Sequence, residues 1–172
     1  MPNILEQFKL TGKKAIVVGG AGDLGIAMVE AISEAGAQTV VIDYDDRVFE
    51  MCENLKNKGL NVSPLKADVS KIEQIKDSYK AALEILGGTV DILINSAGIQ
   101  RRYPSEDFPE EEWSKVIAIN LDATFYYCKY AGIIILKNGG GKIINIASFN
   151  ELFRRYYYTS ICSLKRRCHA IN

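Results

Sequence analysis

One stretch constrains this chain more than any other. Residues 15–35 begin with an apolar, β-branched run, Ala15–Gly19 (AIVVG), pass through a glycine cluster, and continue with apolar residues at Leu24, Ala27, Met28, Ala31, Ile32 and Ala35. The first run reads as a buried strand. The second has apolar residues three and four apart, the spacing of an amphipathic helix, with Gly36 as its C-cap. The joining turn, VVGGAGDLG (17–25), lets the backbone reverse tightly and approach a bound group closely. The helix that follows directs its free N–H groups and dipole at that point, an arrangement suited to a pyrophosphate.

The alternation continues along the chain. Strands are expected at Thr39–Asp43, Val62–Lys66, Val90–Ile94 and Lys142–Ala147, with helices at 46–58, 71–86 and around 110–137. Strands apolar on both sides, alternating with helices, specify a parallel sheet covered on both faces. Right-handed crossovers then make the fold α/β, a Rossmann-type doubly wound parallel sheet. A carboxylate, Asp43, closes the second strand, placed to hydrogen-bond an adenosine ribose 2′-OH and to repel a 2′-phosphate. Arg47, four residues on, could instead favour a phosphate, so NAD is the expected cofactor with NADP left open.

Composition narrows the partners. In the 172 residues, 21 Lys and Arg balance 21 Asp and Glu, which lacks the basic footprint of a nucleic-acid binder. No apolar run has the roughly 18–20 residues of a membrane span. The opening MPNILEQFKLTGKK lacks the order of a signal peptide. Cys52, Cys128, Cys162 and Cys168 have no metal-ligand or CxxC spacing, and are expected as thiols in a reducing, cytoplasmic setting.

Several motifs together resemble the classical short-chain dehydrogenase/reductases. They are Gly19 and Gly25 of the turn, Asp43, Asp68-Val69 after the third strand, Asn95-Ser96-Ala97-Gly98 after the fourth, Asn120 in IAINL and Ser148 in IINIAS. Residues 98–113 (GIQRRYPSEDFPEEEW) are similar to the gluconate 5-dehydrogenase and 2-deoxygluconate 3-dehydrogenase group. The resemblance implies that Gly19, Leu24 and Gly25 cradle a pyrophosphate, with Gly22 supplying backbone freedom. It implies that Asp68 and Val69 flank the adenine and that Asn95, Ala97 and Gly98 line the cofactor cleft; for Asn95 a chiefly structural role, tying neighbouring strands together, is the alternative. Asn120 would hold a proton-relay water and Ser148 would hydrogen-bond the reacting carbonyl. Arg101 and Arg102 lie beyond the fourth strand's C-terminal end, where a guanidinium fork suits the carboxylate of a sugar-acid substrate. Full-length relatives would be homo-oligomers. In the turn, Val18 replaces the family's usual threonine and Asp23 its second glycine; a carboxylate there must point outward or cap the helix.

The last segment breaks the pattern. All 14 glycines fall at or before Gly141, and residues 150–172 carry five basic residues against one acid. The resemblance implies a catalytic tyrosine at register 161 and a lysine at 165; the chain has Ile161 and Lys165. Isoleucine has no proton to exchange. Codons permitted by residues 150–172, read one base later, allow the translation MNSFGGITIPAYAASKGGVMQL. Its tyrosine falls at 161 and its lysine at 165. The expectation is therefore a dinucleotide-binding domain at 1–149 with about five of the family's seven strands, followed at 150–172 by an aberrant, frame-shifted basic tail. A genuine divergent tail is the alternative. The functional expectation is an NAD(P)-dependent oxidoreductase acting on a sugar acid, impaired in this chain, with an inactive nucleotide-binding fragment or subunit partner as the alternative.

Overall fold

The computed structural model describes residues 3–147. Five strands form one parallel sheet: β1 (Lys14–Val18), β2 (Gln38–Asp43), β3 (Val62–Lys66), β4 (Ile92–Asn95) and β5 (Lys142–Asn145), in the order β3-β2-β1-β4-β5. Five helices connect them: α1 (Asp23–Glu34), α2 (Arg47–Asn57), α3 (Ile72–Ile85), α4 (Glu110–Ile117) and α5 (Ala123–Lys137). Every strand pair is parallel, so the expected doubly wound sheet is the architecture found. Pro64, which cannot donate to a ladder on both sides, lies in β3, an edge strand.

Alternation along β1 explains the two-faced core. Ala15 and Val17 point to one side and pack with Val29 of α1 and with Val48, Cys52 and Leu55 of α2. Ile16 and Val18 point to the other, among Ile75 and Tyr79 of α3 and Tyr127, Ala131 and Ile135 of α5. Because β1 is covered on both faces and paired on both edges, its four residues from Ala15 to Val18 are almost wholly sealed from solvent. Each of the larger side chains there contributes about 1.5–3 kcal/mol of burial free energy.

The helix expected around 110–137 is divided. Between α4 and α5, residues Ala118–Asp122 form a π-turn. An extra residue per turn at this point rotates Asn120 toward the loop after β4, which its side chain grips. β4 also starts two residues later than its apolar run, since Asp91 is engaged at the sheet's lower end. Its carboxylate accepts from the Lys14 N–H at 2.9 Å and pairs with Lys13 at 3.3 Å.

Candidate dinucleotide and substrate site

The strand order reverses between β1 and β4, and the loops leaving their C-terminal ends diverge there. Open α/β sheets bind ligands at such a point. The two loops are bonded to each other: the Val18 carbonyl accepts from the N–H groups of Ser96 at 2.8 Å and Ala97 at 3.0 Å. Gly19 takes a left-handed φ of 78°, and a Cβ there would lie 2.4 Å from the Ala97 nitrogen. A Cβ on Gly25 would lie 2.2 Å from the Gly19 carbonyl oxygen. These two glycines therefore serve close backbone packing, which folds the turn over the start of α1. Gly22 differs, as its nearest neighbour would be 3.6 Å away.

Gly22 is the N-cap of α1, and no side chain caps the helix. Among the described residues the first-turn N–H groups thus stay unclaimed, the donor set that a pyrophosphate fits. Asp23 is exposed and makes no cap bond, so it points outward, and its charge in the first turn complements the helix dipole. Leu24 is exposed at the mouth of the same turn.

Asp43 is buried at the end of β2. One of its carboxylate oxygens accepts from the Ala21 N–H at 2.9 Å and the other from the Asp45 N–H at 3.1 Å. The carboxylate thereby fixes the glycine turn against β2, and each oxygen keeps a further lone pair for a ribose hydroxyl. This second role, as an anchor of the turn, was not read from the sequence; a buried acid facing a glycine turn carries no periodicity that would reveal it.

Asp68 and Val69 follow β3. Val69 is buried in the core. Asp68 accepts from the Ser70 N–H at 3.0 Å and the Ser70 hydroxyl at 2.7 Å, and pairs with Lys71 at 3.3 Å. Partial burial pushes its carboxyl upward, but the bonds from Ser70 and Lys71 outweigh that and hold it below the usual range. The Asp68 N–H is itself held by Gln74.

At the end of β4, Asn95 is buried and its Nδ2 donates to Asn145 Oδ1 of β5 at 2.8 Å and to Cys128 Sγ of α5 at 3.3 Å. It joins two strands and a helix. Asn120 holds the Ile99 backbone on both sides of its Cα: Oδ1 accepts from the Ile99 N–H at 2.8 Å and Nδ2 donates to the Ile99 carbonyl at 2.9 Å. Gly98 sits against this clamp, with Asn120 Oδ1 3.5 Å from where a Cβ would be. The clamp fixes the loop that carries Ala97, Gly98 and both arginines.

Arg101 is not a free fork. Its Nε donates to Glu112 of α4 and its Nη1 to the Gln100 carbonyl at 3.0 Å, while Lys115 also reaches Glu112 at 3.0 Å. The two cations, Lys115 foremost, hold the Glu112 carboxyl below its ordinary range. Arg102 Nη2 lies 3.5 Å from Gln100 Oε1. Tyr103, Phe108 and Trp113 meet edge to face, at 5.3 and 6.2 Å between ring centres, and pin the loop to α4. Glu112 was missed from the sequence; the acidic run EEEW beside the two arginines was the available signal. Ser148 and Lys165 lie outside the described residues, as does the segment 150–172. Among the described residues, no group of three or more His, Cys, Asp or Glu is gathered to hold a metal ion.

Comparison with known proteins gives this geometry a family. The chain is 38% identical over 143 residues to 2-dehydro-3-deoxy-D-gluconate 5-dehydrogenase of Bacillus subtilis, covering 83% of this chain and 56% of that one. It superposes with a TM-score of 0.89 on a gluconate 5-dehydrogenase from Burkholderia cenocepacia, in complex with NADP and tartrate. Identity there is 27%, covering 98% of this chain and 66% of that one. It also superposes, at a TM-score of 0.92 and 26% identity, on 7α-hydroxysteroid dehydrogenase complexed with NADH and 7-oxo glycochenodeoxycholic acid, covering 99% and 66%. The chain spans little more than half the length of the curated relative. The family profile described as short chain dehydrogenase matches residues 13–165, and the chain belongs to that family.

Proposed function

We propose that this chain carries the dinucleotide-binding part of an NAD(P)-dependent oxidoreductase whose substrate is a sugar acid of the gluconate/5-ketogluconate type. The observation that carries the reading is the cradle at the β1/β4 reversal. There an uncapped α1 N-terminus, two glycines in backbone contact and a buried Asp43 meet in one place. The α1 N–H groups beside Gly22, Leu24 and Gly25 would hold the pyrophosphate. Asp43 would accept from the ribose, Asp68 and Val69 would flank the adenine, and Ala97 and Gly98 would line the cleft. The nicotinamide group, when bound, supplies the site that gives or takes hydride. Asn120 serves by positioning the 97–102 loop. Arg101, aimed by Glu112, and Arg102 would receive the substrate carboxylate. The sugar-acid class is supported by the gluconate-type names of two of the relatives above. The reading places the protein in the cytoplasm without a nucleic-acid or membrane partner. Balanced charge supports this, and among the described residues no helix is long and apolar enough to cross a membrane.

We further propose that residues 150–172 are read in a shifted triplet phase. Ser148 would then be the remnant of a set whose tyrosine and lysine are encoded one base away from Ile161 and Lys165. This chain would bind nucleotide and turn over little or no substrate. Loss of NADH absorbance with 5-ketogluconate is the test, made on this chain and on a frame-restored version. Turnover by the restored version alone supports both parts. Turnover by neither favours the inactive nucleotide-binding module, and gene sequence around codon 149 incompatible with the shifted translation ends the frame proposal.

A further inference from the structure

The two solved relatives named above hold different dinucleotides, NADP in one and NADH in the other. Local geometry at the end of β2 decides between them in this chain. Three acids, Asp43, Asp45 and Asp46, stand there with two cations, Arg47 and Lys66. Lys66 lies directly across from Asp43 in the sheet register, and its ammonium is taken by Asp46 at 2.7 Å. Arg47 is taken by Asp45 through two contacts. One Asp45 oxygen accepts from the Arg47 backbone N–H at 2.9 Å, and the other accepts from Nε at 2.9 Å. Among the described residues Asp43, itself buried, is bonded only to backbone N–H groups, and no cation there offsets its charge by direct contact.

We infer that Asp45 is a positioning residue for cofactor choice: by drawing the Arg47 guanidinium back onto its own turn, it withholds the group at the end of β2 that, among the described residues, could grip a ribose 2′-phosphate in bidentate fashion. The inference rests on the dinucleotide reading of the glycine turn. A 2′-phosphate dianion would meet an excess of negative charge with both nearby cations already committed, whereas a 2′-hydroxyl can donate to Asp43. The sequence reading left Arg47 open as a phosphate ligand. The Asp45 contacts assign it the opposite part.

Asp45→Asn separates the two jobs of this side chain. The amide oxygen can still accept from the Arg47 N–H and so preserve the turn, but the charge that holds the guanidinium is gone. The measurement is the dissociation constant of NADH and of NADPH for the full chain, by isothermal titration calorimetry, with melting followed by circular dichroism. The native chain is expected to bind NADH at least tenfold more tightly than NADPH. D45N is expected to improve NADPH binding about five- to tenfold, leave NADH within twofold and melt normally; adding Arg47→Met to D45N is expected to abolish the gain. Arg47→Met alone is expected to leave both affinities unchanged, which tests the assignment even where D45N fails to fold. Equal affinity for the two nucleotides in the native chain, an unmoved ratio in folded D45N, or loss of NADPH binding in R47M alone overturns the assignment of Asp45. Binding of neither nucleotide by the native chain overturns the dinucleotide reading beneath it, and the assignment with it.

Discussion

Strands β1 and β5 carry similar apolar runs and live in opposite surroundings. Residues 15–18 of β1 (AIVV) are sealed, whereas β5 (KIIN) leaves Ile144 45% exposed and Ile143 only partly covered. The difference lies in neighbours. β1 pairs with β2 and β4 and is sandwiched between α1 and α2 on one face and α3 and α5 on the other. Among the described residues β5 pairs only with β4. Apolarity thus qualifies a segment to be a strand, and its position in the sheet decides how much stability it returns. The proposed nucleotide cradle is built on the sealed side of this contrast.

The contrast is broken most severely at the cradle. Gly19→Val places a side chain on a left-handed backbone and 2.4 Å from the Ala97 nitrogen, with no flexible group able to yield. Overpacking and conformational strain together are expected to cost about 3–5 kcal/mol in denaturant unfolding and to abolish NADH binding. Gly132 lies in α5 with open space where a Cβ would stand, so Gly132→Ala is expected to raise stability by about 0.5–1 kcal/mol. Opposite signs from two glycine substitutions would show that the cradle, rather than glycine content, carries the constraint.

The strands themselves supply the next test. Ile16→Ala empties a site with no exposure and is expected to cost about 2–5 kcal/mol. Ile144→Ala is expected to cost less than about 1 kcal/mol, since much of that side chain is already in water. Equal costs, measured as shifts in denaturation midpoint, would mean that β5 is as well covered as β1 in the full chain.

Much of this was legible because it rests on local rules. The β1 turn announced itself through glycine between a β-branched run and an amphipathic helix, and the sheet followed from the alternation of periods. Asp43 was legible by position, at a strand end after a glycine turn. Its bond to Ala21, the Asp45–Arg47 pairing, the Asn120 clamp on Ile99 and the Glu112–Arg101 contact were not. Each joins side chains to groups that only folding or a local turn brings together, and no periodicity encodes such meetings. The π-turn at Ala118–Asp122 was hidden for a related reason: one added residue leaves the apolar spacing of the flanking helices nearly intact.

The smallest effect separates two tyrosines in the α3–α5 seam. Their rings meet edge to face at 6.5 Å, and both hydroxyls are buried. Tyr127 shares a 2.7 Å hydrogen bond with the Ser78 hydroxyl, whereas the Tyr79 hydroxyl has no hydrogen-bond partner among the described residues. Tyr127→Phe is therefore expected to cost about 1 kcal/mol, and Tyr79→Phe to be neutral or stabilising by up to about 1 kcal/mol, because it removes a polar group that folding desolvates without return. Burial pushes both phenols up to about 12. The folded state then keeps protons that the unfolded chain gives up near pH 10, so stability is fully present below that pH and falls as pH rises toward 12. Denaturant unfolding at pH 8 and pH 11 should show a shallower alkaline loss in Tyr79→Phe than in the native chain. An unchanged slope would mean that the Tyr79 hydroxyl reaches water through an opening of the seam, and that α3 and α5 part more readily than their packing implies.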